Sequence, residues 1–146
     1  MKDKTEKTID SVIKATWQAI ARMYNEEASK YGATMALGYA LLNIDKAGTA
    51  STALAPRLGM EATSLTRTLK TMEEKGLIEK RKNPKDGRGV NIYLTDFGLE
   101  KRKLSKKTVL QFNETLTENF TEEEIAKYIE MSEKIQELVN SKNIYR

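Results

Sequence analysis

The chain has 146 residues, 39% of them apolar and 32% charged, with a formal net charge of +4 and a pI near 9.2. That balance suits one globular domain, or one domain with a dimerisation module, and agrees with a nucleic-acid partner without demanding one. There is no Cys and no His, which excludes disulfides, thiol redox sensing and Ser-His-Asp catalysis and leaves zinc or copper only oxygen donors; no catalytic site, metal site or cofactor is expected.

The first ten residues, Met1 to Asp10, are charged and lack the apolar centre of a signal peptide. The most apolar run, Gly32 to Ile44, falls short of the roughly 20 residues that span a bilayer. A cytoplasmic protein with no membrane partner is therefore expected. Ile9, Val12, Ile13, Thr16, Trp17, Ile20, Met23 and Tyr24 share one broad helical face, which predicts a helix from about Lys7 to Lys30. Tyr31-Gly32-Ala33 breaks it, and Thr34 can cap a second helix through Ile44. Asp45 to Gly48 reads as a loop. Ser51 to Gly59, with Leu54 and Leu58 inward, predicts a short helix beginning near Thr52. Pro56 fits that helix only in its first turn, where a missing N–H has no intrahelical partner to lose.

Ala62, Leu65, Leu69 and Met72 then recur at three- and four-residue steps, one narrow apolar stripe closed by Gly76. The opposite face carries Thr63, Ser64, Arg67, Lys70, Thr71 and Glu74. Taken alone, that face also suits an ordinary solvated surface. Two β-patterned runs follow, Leu77 to Lys82 and Val90 to Thr95, with Pro84 and Asp86-Gly87 marking the turn between them. Residues 75–88 hold Lys75, Lys80, Arg81, Lys82, Lys85 and Arg88 against Glu79 and Asp86, so the positive excess of the whole chain is concentrated here. A basic hairpin suits a polyanion, because each neutralised phosphate releases counterions; a solvated loop is the plainer alternative.

Thr95 and Gly98 open a long helix running to about Leu116, with Leu104, Thr108, Phe112 and Leu116 on one side. Thr121 and Glu124 have the spacing of a capping box, and Phe120 and Ile125 that of a hydrophobic staple, at the start of the last helix. Its stripe is Ile125, Tyr128, Ile129, Ser132, Ile135, Leu138 and Val139, and residues 117–139 carry seven Glu against two Lys. The chain is thus basic at the hairpin and acidic near its end.

The run Thr63-Ser64-Leu65-Thr66-Arg67, then Leu69, Met72 to Ile78, Asp86-x-Arg88 and Leu94-Thr95-x-x-Gly98 resembles the MarR (multiple antibiotic resistance regulator) family, over nearly the whole chain. Gly87 stands where many members carry a second basic residue. The resemblance implies a mostly α fold with a small β-hairpin wing. A winged helix-turn-helix lobe would span residues 34–95, and a helical dimerisation lobe would come from residues 1–30 and 99–146. It implies a ligand-responsive repressor that binds a pseudo-palindromic operator in double-stranded DNA as a homodimer. Thr52, Thr63, Ser64, Arg67 and Lys70 would then face one half-site, with Lys82, Lys85 and Arg88 on the backbone and minor groove and Asp86 orienting Arg88. It also implies a small organic acid or acyl-type effector near Trp17, Tyr24, Tyr31, Met35 and Tyr39, although such residues at helical spacing are more often plain core. The alternatives are a sequence-independent architectural DNA binder, a winged helix that binds protein, and an enzyme, for which no carboxylate constellation stands out.

Overall fold

The structure, a computed structural model, describes residues 7–83, 85, 89–142, 144 and 145. The chain divides into two compact units, Met1–Ser105 and Lys106–Arg146. In the first, helix α1 (Ile9–Ser29) is capped by Thr8 and α2 (Met35–Asn43) by Thr34, whose hydroxyl accepts from the Leu37 N–H. Next come strand β1 (Thr49–Ala50), helices α3 (Ser51–Leu58) and α4 (Ala62–Glu74), strands β2 (Ile78–Lys82) and β3 (Val90–Leu94), and the beginning of α5 (Asp96–Asn119). The second unit holds the remainder of α5 and α6 (Glu122–Asn140).

The core of the first unit explains why α2 is the most apolar segment of the chain. Leu37, Ala40, Leu41 and Ile44 meet Leu54 of α3, Leu65, Leu69 and Met72 of α4, and Leu77, Ile78 and Ile92 around the sheet. The predicted α4 stripe is buried except at Ala62. Gly76 follows α4 with φ +75, a left-handed conformation that would strain any residue bearing a Cβ.

The β2–β3 hairpin is present as expected, and a short third strand joins it in the order β1-β3-β2, because Thr49 and Ala50 pair antiparallel with Ile92 and Asn91 on the far side of β3. One expectation needs correction. Pro56 lies in the second turn of α3, not the first. There it withholds the N–H that would reach the Thr52 carbonyl, a loss made tolerable by a helix of only 8 residues with Thr52 exposed to water.

After β3, Thr95 holds three elements together. Its hydroxyl donates to the Gly76 carbonyl at 2.6 Å and accepts from the Gly98 N–H at 3.0 Å, while its N–H donates to the Leu77 carbonyl. Gly98 packs so tightly on the Leu77 carbonyl that a Cβ would overlap the oxygen. In the second unit the capping box is complete, with the Thr121 hydroxyl accepting from the Glu124 N–H and the Glu124 carboxylate from the Thr121 N–H.

Candidate nucleic-acid interface

The exposed side of α4 follows from its sequence. With Leu65, Leu69 and Met72 turned into the core, 100° steps push Thr63, Arg67 and Lys70 outward, and Ser64 sits half-buried at the edge. Not every hydroxyl on this helix is available. Thr66 and Thr71 donate to carbonyls four residues back, at 2.9 and 3.1 Å. Thr63, Ser64, Arg67 and Lys70 make no side-chain hydrogen bond or ion pair with the described residues. They leave a row of two hydroxyls, a guanidinium and an ammonium facing solvent.

A second feature lies beside this row, at the helix starts. Helices α1, α2 and α6 have their first N–H groups covered by Thr8, Thr34 and Thr121, whereas α3 and α4, with Ala50 and Glu61 at the cap position, have no side-chain cap bond. Open N–H groups at a helix start, reinforced by the helix dipole, accept an anion such as a phosphate. Thr52 sits at that open end of α3, exposed.

The basic hairpin is less free than its charge count suggested. Lys80 lies 3.6 Å from Glu73. Arg81 pairs with Glu79 and lies over the Tyr93 ring, 4.3 Å from its centroid. Lys75 donates to the Gly32 carbonyl at 2.9 Å. Lys82 and Lys85 remain exposed, and the Lys85 backbone N–H donates to the Asn83 side chain at 2.9 Å. The strands are closed by the Asn83 N–H donating to the Gly89 carbonyl. Asp86 and Arg88 lie outside the described residues.

The expected effector residues separate into two groups. Tyr39 of α2 packs against Trp17 at 6.4 Å between ring centroids and edge-on against Tyr24 at 6.0 Å. Burial raises the phenol pKa of Tyr24, with Tyr39 adding to it, and burial raises that of Tyr39. Tyr31 stands apart and exposed, with the Lys101 ammonium 6.0 Å from its ring and 5.3 Å from that of Phe97. Met35 begins α2, its N–H donating to the Asn25 side chain at 2.9 Å. A depression of about 500 Å³ on α1, lined by Gln18, Ala21, Arg22, Asn25 and Glu26, includes none of the five. Among the described residues no His, Cys, Asp or Glu cluster could hold a metal, and no helix is long and apolar enough to cross a membrane.

Residues 34–90, from the cap of α2 to the first residue of β3, match the model of the MarR family. Its members are transcription regulators, not enzymes. The chain is 30% identical over 88 residues to YdgJ, an uncharacterized HTH-type transcriptional regulator of Bacillus subtilis strain 168, a match that covers 60% of this chain and 54% of that protein. It therefore spans about half the length of that relative. Among solved structures it resembles a mutant MarR from E. coli complexed with operator DNA, at 29% identity and a TM-score of 0.78, over 87% of this chain and 92% of the other. A MarR protein from Peptoclostridium difficile shares the fold at a TM-score of 0.85 and 22% identity, over 97% and 94% of the two chains.

Proposed function

We propose that this chain is a MarR-type transcription regulator that binds a pseudo-palindromic operator as a homodimer, with each α4 in a major groove and each hairpin on the adjacent backbone and minor groove, and that it represses until an effector releases it. The observation that carries the reading is the row Thr63, Ser64, Arg67 and Lys70, which faces solvent with its hydrogen-bonding capacity unspent beside two uncapped helix starts. Short hydroxyls near the start of a reading helix and an Arg able to bond guanine in bidentate fashion are what base edges require. The E. coli MarR mutant of the same fold is complexed with operator DNA. Lys82 and Lys85, with Arg88 beyond them in sequence and Asp86 to orient it, would hold the hairpin, and Thr52 would meet a phosphate at the start of α3.

Dimerisation is supported by uncovered apolar surface. On α1, Ile9, Val12, Ile13 and Trp17 are 46–70% exposed, and on α6 Tyr128, Ile129, Met131, Leu138 and Val139 are 48–64% exposed. A second copy of this chain would cover both stripes. Sedimentation should give about twice the 16.6 kDa chain mass at micromolar concentration; the single-chain mass would refute the pairing. The effector would be a small organic acid or acyl-type molecule at the Trp17, Tyr24 and Tyr39 cluster, with Met35 and Tyr31 beside it. Calorimetric titration of aromatic acids and acyl-CoAs that gave no heat and left DNA binding unchanged would remove that part.

The deciding experiment is selection of bound sites from random duplex DNA. A regulator of this kind recovers a two-fold motif with half-sites about one helical turn apart. A sequence-independent architectural binder recovers no motif and shows an affinity set by salt alone.

A further inference from the structure

Lys75 ends α4, and its ammonium is 2.9 Å from the carbonyl of Gly32, 43 residues earlier, in the corner between α1 and α2. That corner is closely bonded. The Gly32 N–H donates to Ser29 and the Ala33 N–H to Ala28, closing α1 around a left-handed Gly32 with φ +68. Asn25 of α1 accepts from Met35 N–H, and Thr34 caps α2. The corner has little positive charge to spare: α1 has no basic residue in its last turn, and the ammonium of its C-cap residue, Lys30, is bonded to Glu27 at 2.9 Å. A positive charge at a helix C-terminus is favourable, and here it arrives from the end of α4.

Lys75 lies about 18 Å along the helix from Thr63, at 1.5 Å per residue, so it is distant from the edge that faces bases. Its own end is held in turn, because its N–H donates to the Thr71 carbonyl and the Gly76 carbonyl accepts the Thr95 hydroxyl. We infer that Lys75 is a positioning residue, which by holding the C-terminal end of α4 against the α1–α2 corner sets the angle of the reading helix relative to α1. This rests on the proposed homodimer, in which α1 is part of the pairing surface. The tether then fixes how far apart two reading helices stand, and hence which half-site spacing is accepted.

The test uses the full-length protein and a series of duplexes carrying the selected half-sites at centre-to-centre spacings changed one base pair at a time. Affinity for each is measured for wild type, Lys75→Met and Lys75→Arg, at several salt concentrations. For Lys75→Met the ratio between the preferred and neighbouring spacings should fall by about 5-fold or more, the lower end of ordinary coupling. Its salt slope should stay unchanged, and Lys75→Arg, which can still donate to Gly32, should restore the ratio. Because a ratio is read, a smaller active fraction cancels. An unchanged ratio in Lys75→Met overturns the proposal while wild-type spacing preference leaves the dimer reading standing. A salt slope reduced by about 0.9 with the ratio unchanged also overturns it, since Lys75 would then be a phosphate contact. Wild type indifferent to spacing would sink the paired reading and the tether together.

Discussion

The Arg81 guanidinium is stacked on the Tyr93 ring across the β2–β3 ladder, out of direct register, while its charge is met by Glu79 on its own strand. A cation used in this way cannot also serve as a phosphate anchor without giving up both contacts. Arg81→Ala is therefore expected to leave the salt dependence of DNA binding unchanged, at a stability cost of about 0.5–1 kcal/mol for an exposed cation–π contact. Lys82→Ala should lower the slope of log affinity against log salt by about 0.9. Equal slopes for the two variants would show that strand charge is interchangeable and that the pairing is idle.

Gly98 carries a sharper expectation. Its missing Cβ is what allows α5 to start against the Leu77 carbonyl, and the nearest atoms are backbone, which leaves nothing flexible to yield. Gly98→Ala should destabilise the protein by about 3 kcal/mol, the upper end for overpacking a tight contact. Denaturant unfolding measures this directly. A loss below about 1 kcal/mol would mean that α5 can move away freely.

These two sites mark what was legible in the sequence and what was not. The apolar stripe of α4, the stop at Gly76, the β2–β3 hairpin and the Thr121–Glu124 box were legible because each is written in local spacing. Strand β1 was missed because two residues carry no period; Thr49–Ala50 is a strand only through its partners on β3. The engagement of Lys75, Lys80 and Arg81 was missed for the related reason that a charge count does not show which charges fold back on their own chain. The open ends of α3 and α4 could have been suspected from Ala50 and Glu61, since Ala is among the poorest cap residues and Glu is not among the favoured ones.

The capping box of α6 makes a self-contained prediction. Thr121→Ala removes the acceptor for the Glu124 N–H, and Glu124→Ala removes the acceptor for the Thr121 N–H. Each should cost about 1 kcal/mol. The double variant should cost less than the sum, because either change alone already disturbs the reciprocal pair. Strict additivity in thermal unfolding would show the two bonds to be independent.

The Tyr24–Tyr39 pair predicts an alkaline limit to stability. Burial raises both phenols above the ordinary value of 10.0, so the folded protein keeps these protons to higher pH than the unfolded chain does. The unfolded state therefore binds fewer protons once pH passes 10.0, and stability present in full below that value is lost as pH rises through the raised folded values. Tyr39→Phe should flatten this fall in a plot of melting temperature against pH. An unaltered fall would place its origin elsewhere.

Arg67→Ala, carried through site selection from random duplex DNA beside the wild type, tests most directly whether α4 reads bases. Loss of preference at one base pair in each half-site, worth about 1–3 kcal/mol with the other positions kept, is the expected result. An unchanged motif and an unchanged affinity would contradict it.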